Sequence, residues 1–277
     1  MTSKANNKKA MAIRTLFCAV FCVLCLTAFP QTDCEQKFGG KYIASYWDCG
    51  LNIIKQPLGY SLGDWVAAAG VTGVGVASFM VDKDIATYFA KTPNSPLTTF
   101  ADYSAFIGDE VFLFPASVAC IVISHLGDNC RFRQASLGSL QSLVFAEGCC
   151  LVLKELTCRE RPNGFGDNNN VWDGPFSTFS STAFPSGHAI RSFALAAFLS
   201  DYYSDKPWVG ITAYSAATIV SASRIVSTEH WTSDVVVGAA LGIFIGKGTA
   251  AFNKKFNGRI SMSGSTTGYG AGLTIKL

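Results

Sequence analysis

Apolar positions along this chain gather into long runs rather than alternating with polar ones. After an uncharged stretch at 15–28, six segments follow, at about 62–80, 111–125, 136–153, 189–203, 208–226 and 234–252. Each is long enough for a helix and none alternates strictly, so the period predicts helices and not strands. Apolar residues run nearly all the way round each segment, which fits helices that are deeply buried or face lipid. Ala, Gly, Val and Ser dominate most of them and permit close helix packing. The expected fold class is all-α, a six-helix bundle. The stretch from 268 to 277 is Gly-rich with alternating Leu273, Ile275 and Leu277, and reads as a short strand-like tail.

The flanks divide the chain further. Lys8, Lys9 and Arg14 precede the apolar run at 15–28, with Pro30 and polar residues behind it. This is the layout of a secretory signal peptide over 1–29, with an uncleaved anchor helix as the alternative. A polar segment at 30–60, a helical domain at 61–253 and a tail at 254–277 complete the expected organisation. Two connections are long. The 83–109 link carries turn signals at Pro93, Asn94 and Pro96, and the 163–184 loop mixes Gly, Asn and Ser with Trp172, Phe176 and Phe179. A loop of the second kind often covers a binding site.

Composition sharpens the class. The 277 residues are 49% hydrophobic and only 15% charged, against about a quarter charged in an average soluble chain. The net charge of +3 is too small to argue for a nucleic-acid partner. Of ten cysteines, three lie within the apparent signal. Cys34 and Cys49 lie in a polar stretch and could pair in an oxidising compartment. Cys120, Cys149, Cys150 and Cys158 are expected as small buried hydrophobes. No cysteine or histidine spacing suggests zinc.

Three short patterns carry chemistry. Lys154 and Arg161 are seven residues apart, which on a helix places both on one face, and Pro162 predicts a helix end at Arg161. Two cations there form an anion clamp, Arg161 through paired hydrogen bonds and Lys154 as a point charge. Next comes Pro185-Ser186-Gly187-His188, opening the helix near Ala189. Ser186 suits an N-cap, Gly187 lets a ligand approach the backbone, and the free N–H groups of a helix start attract a phosphate. His188 then stands where a proton donor to a leaving oxygen is needed. Finally, Ser223-Arg224 is followed by His230 and Asp234. Their i,i+4 spacing suggests that Asp234 accepts the Nδ1 proton of His230 and leaves Nε2 as a nucleophile. Each pattern alone is also compatible with a structural role. The third histidine, His125, has no such companions and reads as a capping or interface residue.

Taken together, KxxxxxxRP, PSGH and SRxxxxxHxxxD resemble the signature of the type 2 phosphatidic acid phosphatase and vanadium haloperoxidase superfamily. Every fixed position is matched, in the family's order, within about 61–252. The resemblance implies a metal-independent phosphatase with no cofactor, in which vanadate acts as a phosphate mimic or inhibitor. It implies that Lys154, Arg161, Ser186, Gly187 and Arg224 bind the phosphoryl oxygens. His188 would protonate the leaving oxygen, His230 would attack phosphorus, and Asp234 would orient it. The expected partner is a phosphorylated lipid or a small phosphate monoester, at a membrane or in the cell envelope, with the site outside the cytoplasm. Alternatives are a vanadium-dependent haloperoxidase, a soluble periplasmic non-specific acid phosphatase, and a non-enzymatic envelope protein. Topology poses a conflict: with a cleaved signal and six crossings, Lys154 and its partners would face the cytoplasm. Glu147 and Arg191, inside two of the segments, are costly in lipid and argue that not every segment crosses.

Overall fold

The computed structural model describes residues 38–92, 96–127, 129–162, 168–175 and 182–261, the side chains of 257–261 excepted. The apparent signal, Cys34 and the strand-like tail lie outside the described residues. Within them the chain is all helical: α1 Gly40–Lys55, α2 Leu62–Ala90, α3 Pro96–Ala105, α4 Glu110–Leu126, α5 Cys130–Thr157, α6 Gly187–Tyr202, α7 Pro207–Val226 and α8 Thr232–Ser261. The six expected segments are all present, but the described residues form eight helices, not six. The 83–109 link is mostly helix, because α2 runs on to Ala90 and α3 begins at Pro96.

The other addition is α1, within the stretch expected to be a polar leader. Its buried positions Tyr42, Ser45, Cys49 and Ile53 recur every three or four residues, so one face is fit for a core. Tyr42 donates to the Leu137 carbonyl of α5 at 2.8 Å, and Asn52 donates to the Gly248 carbonyl of α8 at 3.2 Å. Cys49 and Ile53 join Ala146, Cys150, Ile190, Ala194 and Ile245 in the main core cluster. Cys49 is a free buried thiol, which overturns its pairing with Cys34, whereas Cys130 is disulfide-bonded. Cys120, Cys150 and Cys158 are buried thiols outside any disulfide, as expected, and Cys149 is a half-buried one.

The centre of the bundle is the α6–α8 pair. Gly238, Gly242 and Gly246 form one ridge of α8 at four-residue spacing, and a Cβ on them would lie 2.9, 2.4 and 2.2 Å from the backbone oxygens of Ser186, Ile190 and Ala194. Small residues let the two backbones touch, the geometry of helix pairs that pack without a hydrophobic driving force. Arg191 of α6 bonds Glu147 of α5 at 2.6 Å and pairs with Glu110 of α4 at 2.5 Å. Arg191 is buried and Glu147 largely so, while Glu110, half exposed, closes the pair from the rim of the bundle. They do not count against crossing by the helices that carry Glu147 and Glu110.

Several of the described helices meet the length and apolarity that crossing a membrane requires. Helices α2, α5, α7 and the 232–256 part of α8 are long and apolar enough to cross one, and α3 with α4, bent by 45°, makes a fifth candidate. α2 is the most lipid-like: only 11% of its apolar window is buried. Its buried residues, Gly75, Ser78 and Asp82, form one narrow seam.

Candidate active site

All three motifs arrive at one end of the bundle, where α5 and α7 finish and α6 and α8 begin. α5 ends at Thr157, four residues before Arg161, because Cys158 adopts a left-handed conformation (φ 41°). The helical-face argument for Lys154 and Arg161 therefore fails. Lys154 sits on the last turn of α5, and Arg161 follows in extended chain, where Arg159 forms an isolated bridge with Trp172. The two cations nevertheless act on one place. Lys154 and Arg161 both push the pKa of His230 down, and Lys154 does the same to His188.

Ser186 is the N-cap residue of α6 but makes no capping bond with its side chain. Its backbone N–H instead donates to the Asp234 carbonyl at 3.0 Å, which ties the start of α6 to the first turn of α8. Its hydroxyl is fully buried without a hydrogen-bond partner among the described residues, as is Nε of Arg224. Two orphaned donors at the mouth of a helix are costly unless an acceptor visits them. Gly187 leaves room for Arg191, whose Nη1 would lie 3.1 Å from a Cβ at that position. His188 follows in the first turn, with Nε2 3.7 Å from Asp109 Oδ2 at the head of α4. Burial holds its pKa far below the usual imidazole value, and Arg224, Arg191, His230 and Lys154 push it further in the same direction.

His230 does not share a helical face with Asp234. It lies two residues ahead of α8, and Asp234 occupies the first turn. The carboxylate turns back to accept the Trp231 N–H at 2.9 Å, the return half of a capping box. His230 Nδ1 is 3.7 Å from Asp234 Oδ2, too far for a hydrogen bond. Its partner is the Ala183 carbonyl at 2.7 Å. A carbonyl only accepts, so Nδ1 carries the proton and Nε2 keeps the lone pair of the neutral ring. The tautomer expected from the sequence stands, with a different group fixing it. Burial lowers the pKa of His230, and Asp234 opposes that shift.

Three charged residues went unread in the sequence. Glu229, next to His230, pairs closely with Arg161 through Oε2, which also lies 3.8 Å from Arg224 Nη2. Arg159 lies fully buried and pairs with both Asp234 and Asp82, the latter at 2.8 Å. Its guanidinium is sandwiched by the rings of Phe79, Trp172 and Trp231 at 4.7, 4.9 and 5.5 Å. Trp172, in the long loop expected to cover a binding site, thus covers Arg159; Phe176 and Phe179 lie outside the described residues. Proximity in sequence to Arg161 was the only available signal for Arg159. His125 bonds its own helix, with Nδ1 2.8 Å from the Ile121 carbonyl, at the opposite end of the bundle.

Comparison with known proteins follows the same residues. Positions 136–257 match the family model of the PAP2 superfamily. Over 69 residues the chain is 42% identical to a lipid A 1-phosphatase of Porphyromonas gingivalis, a match covering 24% of this chain and 16% of that protein. Among solved structures, the chain is similar to a transmembrane PAP2-type phosphatidylglycerolphosphate phosphatase from Bacillus subtilis. That likeness has a TM-score of 0.47 and 21% identity over 79% of this chain and 97% of the other. It is also similar to Aquifex aeolicus LpxE, with a TM-score of 0.45 and 19% identity over 62% and 95% of the two chains.

Proposed function

From the match of residues 136–257 to the PAP2 superfamily model, we propose that this protein is a phosphatase that hydrolyses a phosphate monoester through a phosphohistidine at His230. The single observation that carries the reading is the fixed lone pair on His230 Nε2, set by the 2.7 Å bond from Nδ1 to Ala183, within the field of Lys154 and Arg161. Nε2 attacks phosphorus, and the bond to the leaving oxygen breaks as the P–N bond forms. His188 gives that oxygen a proton. Water then attacks phosphorus, His188 takes a proton from it, and the P–N bond breaks to free His230 and inorganic phosphate.

Lys154, Arg161, Arg224, the Ser186 hydroxyl and the Gly187 N–H hold the phosphoryl oxygens, and their charge stabilises the transferring group. The buried, unpartnered Ser186 hydroxyl and Arg224 Nε support this assignment, since a phosphoryl oxygen satisfies both. The same cations supply the positive charge that a metal would, so the reaction needs no cofactor, and vanadate binds as a phosphate mimic.

A phosphorylated lipid is the favoured substrate. The exposed apolar surface of α2, with Trp65, Val66, Val74 and Met80 outward, supports a site reached from a bilayer, in line with the lipid phosphatase matched above. Arg131, Lys254 and Lys255 lie at the end of the bundle remote from His188 and His230, which by the positive-inside rule supports an extracytoplasmic site. The test is phosphate release by the full-length protein in detergent from a panel of lipid and sugar phosphates, with and without chelator. Turnover of lipid phosphates that survives chelation and disappears in His230→Ala is expected. Full turnover by His230→Ala, or loss of wild-type activity on chelation, overturns the mechanism.

A further inference from the structure

We propose that Asp82 of α2 is a positioning residue for His230, acting through Arg159 and Asp234. The inference rests on the phosphatase reading above and adds to it a residue from outside all three motifs, in a helix otherwise turned to lipid.

The argument begins with α2, whose buried seam of Gly75, Ser78 and Asp82 ends in a carboxylate with no exposed surface. An ionised group in an apolar helix is expensive and is retained where it has a partner. Asp82 has three. Oδ2 takes a hydrogen bond from Arg159 Nη2 at 2.8 Å and one from the Ser233 hydroxyl at 2.5 Å, while Oδ1 accepts the Ser233 backbone N–H at 2.8 Å. Ser233 N–H is one of the orphan donors at the start of α8. A side chain from a different helix therefore caps the helix that carries Asp234.

Arg159 links the two acids. Nη1 donates to Asp234 Oδ1 and to Ser233 Oγ, Nη2 to Asp82 and the Asn169 carbonyl, and Nε to Asn169 as well. A guanidinium can fork in this fixed plane and an ammonium cannot. With Oδ1 of Asp234 fixed by Arg159 and Oδ2 by Trp231 N–H, the carboxylate is locked 3.7 Å from His230 Nδ1. At that separation it acts as a fixed negative charge beside the ring. Charge develops on His230 as its P–N bond forms, and a fixed carboxylate lowers the energy of that state. Two carboxylates sharing one guanidinium leave net negative charge at this spot. Without Asp82, Arg159 would neutralise Asp234 alone and the benefit to His230 would shrink.

Asp82→Asn, Asp82→Glu and wild type distinguish positioning from mere support. In Asp82→Asn, kcat should fall about tenfold with KM within about twofold, the pattern of an interaction made in the transition state. His230 must be unprotonated to attack, and loss of a nearby negative charge makes its proton leave more easily. The acid limb of kcat/KM should therefore move to lower pH. Asp82→Glu should restore part of kcat and of the shift. A purely structural role predicts a lower melting temperature with an unmoved acid limb, and that result overturns the proposal. The second measurement is the ring-nitrogen titration of His230 by NMR in histidine-labelled protein, which carries only three histidines. An unchanged midpoint in Asp82→Asn overturns the proposal even if turnover falls. Should the wild type release phosphate from no substrate, the functional reading fails, and the titration still decides the coupling.

Discussion

Arg159 and Arg161 stand two residues apart and live in opposite surroundings. Arg159 has no exposed side-chain surface, two carboxylates and three aromatic rings, whereas the Arg161 side chain is 33% exposed and has Glu229 as its ion-pair partner. A buried charge is tolerated only when its hydrogen bonds are complete, and removing one member leaves the others stranded. A half-exposed pair is worth little and can be exchanged. The first arginine is thus suited to hold a shape and the second to change partner; on the proposed function, Glu229 holds it in place of a phosphoryl group.

The contrast can be broken at either side. Arg159→Ala should cost about 3–5 kcal/mol of stability, because Asp82 and Asp234 are left buried without their cation; a melting temperature equal to wild type in thermal unfolding would end the distinction. Arg161→Ala should keep that melting temperature and lose about 100- to 1,000-fold in kcat, the cost of one donor to a developing anion. A folded but fully active Arg161→Ala protein would remove it from the site.

Two smaller effects sharpen the same picture. His188 is held neutral by burial and by Arg224, Arg191, His230 and Lys154. A bound oxyanion offsets those cations and raises its pKa, so binding takes up a proton and tightens as pH falls. Vanadate inhibition should therefore strengthen from about pH 8 to pH 6 more steeply in wild type than in His188→Asn. Parallel slopes would show that His188 does not sense the anion. Smallest of all, Glu229→Gln should bind vanadate about two- to fivefold more tightly, the scale of a half-exposed ion pair. Weaker binding would make Glu229 a support for the arginines and not their placeholder.

The sequence disclosed these residues unevenly, and for physical reasons. Lys154, Ser186, His188, Arg224 and His230 were legible as candidates because the motifs fix residue types suited to an oxyanion, and all five lie at one end of the bundle. Their local geometry was not legible. An i,i+4 spacing placed His230 and Asp234 on one helix, but α8 starts after the histidine, where the Asp234 carboxylate accepts the Trp231 N–H. Arg159 was silent because its carboxylate partners lie 77 and 75 residues away in the chain. α1 could have been read: Tyr42, Tyr46, Cys49 and Ile53 follow a helical period, masked by the polar residues between them. The other helices were legible where long apolar runs, without strict alternation, mark them.

The glycine ridge of α8 has a consequence for timing. Where Gly238 and Gly242 meet Ser186 and Ile190, main chain rests on main chain, so no rotamer lies in the contact to hop or swell. His188 and His230, mounted at the head of those two helices, inherit a gauge set by peptide planes. Heat that melts the surrounding side-chain packing into faster motion should leave that gauge almost unblurred, and a methyl group at Gly242 should act as a shim, spreading the two rings while touching neither.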